Sequence, residues 1–184
     1  EGYYYKPRVD KEVLKEFHEG VIALSACLAG EVSTQLRRGF YEEAKKAALS
    51  YQEIFGEGNF FLELQDHGIP EQQTVNQGLL RLSEETGIEL VATNDIHYVK
   101  ESDAEAHDIL LCIQTAKKVS DEDRMRYEGG QYYLKSPEEM EKLFPYAKRA
   151  LENTEKIAKR CNVEIIFGEQ KVPKYEVPEG YTSY

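Results

Sequence analysis

In the stretch 91-VATNDIHYVK-100 a carboxylate and an imidazole stand one residue apart, Asp95 and His97, just after an apolar run. Alternate residues of a strand point to the same side, so Val91, Thr93, Asp95 and His97 share one face if the strand persists that far. Carboxylate oxygen paired with neutral imidazole nitrogen suits Zn²⁺, Mn²⁺ or Fe²⁺ better than Ca²⁺. A second stretch, 63-ELQDHG-68, ends in similar chemistry: Glu63, Gln65 and His67 share one side of a strand, with His67 at its C-terminal end. Spacing alone leaves a plainer reading open for each. Asp95 could cap a turn beside a surface His97, and His67 could be the turn residue before Gly68.

The remaining reactive residue types form no pattern of their own. His107 lies three residues from Leu110 in a helical stretch and reads as a partly buried histidine with its hydrogen bonds met, and His18 as a solvated helix-end residue. The serines form no G-x-S-x-G elbow. Cys27, in 24-LSACLAG-30, reads as a buried small apolar residue. The paired glycines of 128-EGGQYY-133 lack the spacing of a dinucleotide fingerprint or a phosphate-binding loop.

The elements that must position Asp95, His97 and His67 alternate along the chain. A short helix capped by Asp10 places Val13, Leu14 and Phe17 on one face, and 21–25 reads as a buried strand. Helical segments over 29–39 and 41–56 each close on a glycine suited to the left-handed C-cap position. A strand over 59–68 leads through Pro70 into a helix over 71–87 with Val75, Leu79, Leu80 and Leu82 on its apolar side. The next strand, 88–95, carries an apolar run that suggests burial on both faces. Ser102 with Glu105, and Ser136 with Glu139, have the capping-box spacing ahead of helices over 104–119 and from 137 to near Phe144. A last helix over 146–161 leads into 163-VEIIF-167 and a proline- and tyrosine-bearing tail. Strands alternating with helices across long connections predict an α/β fold with a largely parallel sheet or barrel.

Composition narrows the function. The chain has 184 residues, a net charge of −11 and a pI near 4.9, whereas a domain that grips nucleic acid through its own surface usually has a pI above ~9. The three cysteines, Cys27, Cys112 and Cys161, form no C-x-x-C pair, which argues against a disulfide framework or zinc knuckle and fits a reducing cytoplasm. No apolar stretch approaches the ~20 residues that cross a bilayer, so no membrane partner is expected.

Taken in order, 2-GYYYKPRVDKEVL-14, 20-GVIALSACLAGEV-32, 60-FFLELQDHGIPEQ-72, 90-LVATNDIHYV-99, 104-AEAHDILLCIQT-115 and 152-ENTEKIAKRCNVEI-165 resemble the bacterial DNA polymerase III alpha subunits. The match is to the C-terminal portion of their PHP (polymerase and histidinol phosphatase) domain. That resemblance implies a (βα)7-type barrel whose strand ends hold a cluster of metal ions. In some members the cluster supports 3′→5′ exonuclease proofreading, and in others the domain is a scaffold that docks a separate proofreading subunit. The family's Q-x-H-G motif falls on Gln65, His67 and Gly68, and its N-D-x-H-Y motif on Asn94, Asp95, His97 and Tyr98. By resemblance His67, Asp95 and His97 are metal ligands for Zn²⁺ or Mn²⁺, with Mg²⁺ serving the parent polymerase.

The resemblance also implies a parent DNA-directed DNA polymerase, with DNA, deoxynucleotides and other replicase subunits as partners. Residues 1–167 would be PHP domain, and 168–184 an extended linker toward the polymerase palm. A free-standing phosphatase of the same superfamily is disfavoured by the polymerase-like 2-GYYYKPRV-9 and by the tail. The family's opening H-x-H motif, the other ligands of its first strands and the palm aspartates have no match here. The chain therefore reads as a partial barrel with its first strands missing, inactive in isolation. Open sheet edges invite pairing, so the isolated segment is expected to self-associate or rearrange locally. Light scattering checks this, and a compact monomer would contradict it.

Overall fold

The computed structural model describes residues 5–168 and 176–180. Residues 1–4, most of the expected linker (169–175) and 181–184 lie outside the described residues, so neither the N-terminal tyrosine run as a whole nor the linker expectation is addressed by it. The described residues form three strands, β1 (Ala23–Leu24), β2 (Phe60–Leu64) and β3 (Leu90–Ala92), in a parallel sheet of order β1-β2-β3. Ala23 lies opposite Phe60, and Leu62 and Leu64 lie opposite Leu90 and Ala92.

Seven helices accompany the sheet among the described residues. α1 (Lys11–Glu16) is capped by Asp10, whose carboxylate accepts the Val13 N–H at 2.9 Å, as its sequence predicts. Its apolar residues do not all go inside: Leu14 packs on the core, while Val13 and Phe17 are exposed. The crossover from β1 to β2 runs through α2 (Glu31–Arg37) and α3 (Tyr41–Phe55). Ala44 and Ala48 are completely buried, small side chains that let α3 pack closely. Gly39 follows α2 with a positive φ, but Gly56 caps α3 at φ 86° and ψ 160°, a region open to glycine outside the left-handed helical well.

α4 (Pro70–Thr86) joins β2 to β3, burying Val75, Leu79 and Leu82, and ends at Gly87 in the left-handed conformation. Beyond β3 come α5 (Ala104–Thr115), α6 (Pro137–Leu143) and α7 (Lys148–Arg160). The capping box at Ser136 and Glu139 forms in both directions, at 2.7 and 3.3 Å. The one expected from Ser102 and Glu105 does not. A 3-10 turn over Glu101–Asp103 precedes α5, and the Asp103 carboxylate takes the Lys100 N–H at 2.9 Å. Residues 163–167 leave α7 without regular structure, and Val163, Ile165, Ile166 and Phe167 are exposed.

Leu62, Leu64, Leu79, Leu82 and Phe144 are wholly buried in a core that joins sheet and helices. α7 fastens to β3 by a polar contact: Asn153, fully buried, donates from Nδ2 to the Leu90 carbonyl at 2.7 Å. Asn153→Leu strands that carbonyl and is expected to destabilise the fold by about 1–3 kcal/mol. Chemical denaturation measures it, and an unchanged midpoint would show that the contact contributes nothing.

Candidate functional site

Parallel pairing sends the C-terminal ends of all three strands to one edge, so Ser25–Cys27, Gln65–His67 and Asn94–His97 gather there. At the end of β1 the Ser25 Oγ accepts the Glu63 N–H at 2.8 Å, prolonging the ladder by a side chain. Ala26 then takes a positive φ of 63°, a left-handed kink costing on the order of 1 kcal/mol in a non-glycine residue. The kink turns Cys27 outward: it is exposed, against the buried position its apolar surroundings suggest. Gly30 is required behind it, because a Cβ there would stand 2.3 Å from the Ser25 carbonyl oxygen.

At the end of β2, Glu63 and Gln65 do share a side, with Gln65 Nε2 3.1 Å from Glu63 Oε1. His67 leaves that side and goes inward, only 3% exposed, so it is not a surface turn residue. Its Nε2 lies 2.9 Å from the Asn94 carbonyl oxygen and its Nδ1 2.8 Å from Gln72 Nε2, while its ring stacks on Tyr132 at 3.9 Å. Burial pushes its pKa below the usual 6.5, against the opposing pull of the Asn94 carbonyl and the Asp95 carboxylate.

β3 stops at Ala92, so the face-sharing argument for Asp95 and His97 fails. They meet by another route. Asp95 adopts φ 42°, a left-handed turn that aspartate tolerates, and its Oδ1 comes 3.4 Å from His97 Nε2. Donors about 2.1 Å from a tetrahedral ion stand about 3.4 Å from each other. The separation of the pair matches that spacing, and it is also the distance of a direct Asp–His contact.

Most of the residues around this pair come from a segment the sequence left unassigned. The Tyr132 carbonyl accepts the N–H groups of His97 (2.9 Å) and Tyr98 (3.3 Å), and Asn94 Nδ2 donates to the carbonyls of Gln131 and Tyr133 at 3.0 and 2.7 Å. The strap over 128–135 thus lies along the Asn94–Val99 turn. Tyr132 meets His97 edge-on at 5.7 Å, and Tyr127 and His107 lie 4.4 and 5.5 Å from the His97 ring, so His107 borders the pair instead of standing apart. Burial, and then the Asp95 carboxylate, push the Tyr132 phenol up from its ordinary pKa. Asn94 Oδ1, buried, has no hydrogen-bond partner among the described residues.

Of the three expected ligands, two come together. Asp95 and His97 converge, His67 has both ring nitrogens engaged, and among the described residues no three His, Cys, Asp or Glu side chains gather closely enough to hold an ion. Among them too, no helix is long and apolar enough to cross a membrane.

Residues 1–67 match the PHP domain family. The chain is 46% identical to the DNA polymerase III subunit alpha of Deinococcus radiodurans, over 98% of this chain and 14% of that protein. It is 45% identical to that of Treponema pallidum, over 100% of this chain and 16% of the relative, and 40% identical to that of Thermus aquaticus, over 99% and 15%. The chain therefore spans 14–16% of the length of these relatives.

His67 also sets an expectation for acid stability. Its folded pKa is lowered, so the unfolded chain binds the proton more readily. Stability should hold above pH 6.5, the unfolded value, and fall as pH drops from there toward the folded pKa. His67→Gln should flatten that part of the profile. Unfolding midpoints measured across pH check it, and identical profiles for the two proteins would contradict it.

Proposed function

The chain is homologous, over nearly its whole length, to one segment of the DNA polymerase III alpha subunits, and from that kinship we propose that it is the PHP region of a replicative DNA-directed DNA polymerase. In this reading Asp95 and His97 supply two donors to a metal centre for 3′→5′ hydrolysis of DNA phosphodiesters. The observation that carries it is the 3.4 Å approach of Asp95 Oδ1 to His97 Nε2 at the C-terminal end of a parallel sheet, the edge where α/β folds place their ligands.

The other donors, and the strands that complete a (βα)7-type barrel, come from the remainder of the polymerase. Residues 1–167 belong to the PHP domain and 168–184 lead toward the palm. Zn²⁺ or Mn²⁺ suits the Asp–His pair, and Mg²⁺ the polymerase active site. Bound ions supply an activated water and neutralise phosphate charge. His67 joins the donors only by exchanging its partners Gln72 and Asn94. With a net charge of −11, the segment relies on the rest of a cytoplasmic replicase to hold DNA and deoxynucleotides.

A second reading, a non-catalytic scaffold that stabilises the polymerase and docks a separate proofreading subunit, is favoured by one observation: the buried polar groups of His67 and Gln72 bond to the fold itself. His97→Ala in the full-length polymerase chain separates the two. The metal-centre reading expects loss of bound metal and an exonuclease rate reduced by about 100-fold or more, since weakening the supporting shell alone costs 10–100-fold. Unchanged metal content and exonuclease rate would leave the scaffold reading standing.

A further inference from the structure

His67 lies next to the Asp95–His97 turn, yet its hydrogen bonds leave it no lone pair to offer. Its own backbone N–H donates to Gln72 Oε1 at 2.7 Å, which fixes which end of the Gln72 amide faces which way. The atom 2.8 Å from His67 Nδ1 is therefore the amide nitrogen, a donor, and Nδ1 is the acceptor. The imidazole proton then sits on Nε2 and points at the Asn94 carbonyl oxygen, 2.9 Å away. One nitrogen carries a proton and the other has its lone pair consumed.

We propose that His67 is a positioning residue for the Asp95–His97 pair and not a metal donor: it pegs the end of β2 to the Asn94 carbonyl, one residue ahead of Asp95. The inference rests on the metal-centre reading above. From the other side the strap holds the same turn, through the Asn94 side chain on the Gln131 and Tyr133 carbonyls and through the Tyr132 carbonyl on the His97 and Tyr98 N–H groups. Tyr132 lies between the two histidines, stacked on His67 and edge-on to His97. Asp95 sits in a left-handed conformation, and this clamp holds the turn on both sides of it. Gln72 and His67, 4% and 3% exposed, act as a closed unit well inside the fold.

The test is Co²⁺ binding to the full-length polymerase chain, followed by the visible spectrum, which reports the donor set, and by the dissociation constant. His67→Gln keeps an amide to donate to the Asn94 carbonyl but removes the imidazole. It is expected to keep the native spectrum with binding weakened about 10–100-fold, the usual effect of losing a supporting residue. Gln72→Met frees Nδ1 while leaving His67 in place, and it carries the test alone should His67→Gln fail to fold. Positioning predicts weaker Co²⁺ binding for Gln72→Met, whereas a donor role predicts equal or tighter binding. The proposal is overturned if Gln72→Met binds as tightly as native, or if His67→Gln loses the ion as completely as His97→Ala. Native Co²⁺ binding by His97→Ala is a separate result, which overturns the metal-centre reading and this inference with it.

Discussion

Parallel pairing of β1 and β3 to the central β2 is the constraint on which everything else depends. Phe60, Phe61, Leu62 and Leu64 of β2 are all buried, so both of its faces are used. A fully buried leucine contributes about 1.5–3 kcal/mol relative to an exposed one, which makes the register of this strand expensive to change. Because the neighbours run the same way, the chain must leave the sheet three times at one edge. Each exit is built differently: a serine hydroxyl and a strained alanine after β1, a buried histidine after β2, and a left-handed aspartate after β3.

Much of the framework was legible in the sequence because it is set by local spacing. The apolar side of α4 (save Leu80, which is only partly buried), the Asp10 cap and the reciprocal Ser136–Glu139 box depend on residues within a few positions of one another, and all are present. Where two local signals competed, spacing was not enough: Asp103 captured the Lys100 amide, so Ser102 and Glu105 never close their box. The juxtaposition of Asp95 and His97 was also legible, though for the wrong reason, since a turn and not an extended strand unites them. The strap was not legible at all. Its bonds to Asn94 join residues 37 and 39 positions apart, and its sequence carries no periodicity that announces them.

The Asn94 side chain shows what the arrangement costs. Its amide nitrogen serves two carbonyls, while its buried Oδ1 has no hydrogen-bond partner among the described residues. An unmet buried acceptor costs about 1–3 kcal/mol. The turn is thus held at the expense of one polar atom, a compromise typical of sites whose geometry matters more than their contribution to stability. The exposed Cys27 belongs to the same trade, carried outward by the kink at Ala26.

The stack of His67 on Tyr132 has a mechanical consequence. With its ring face against the strap, one ring nitrogen on β3's exit and the other on α4, His67 touches three of the elements around the turn. A displacement of any one of them reaches the others through a single planar, nearly incompressible group. The end of β2, the turn and the strap are therefore tied together at a single side chain, a route from residues 128–135 to the residue before Asp95 that does not cross the hydrophobic core.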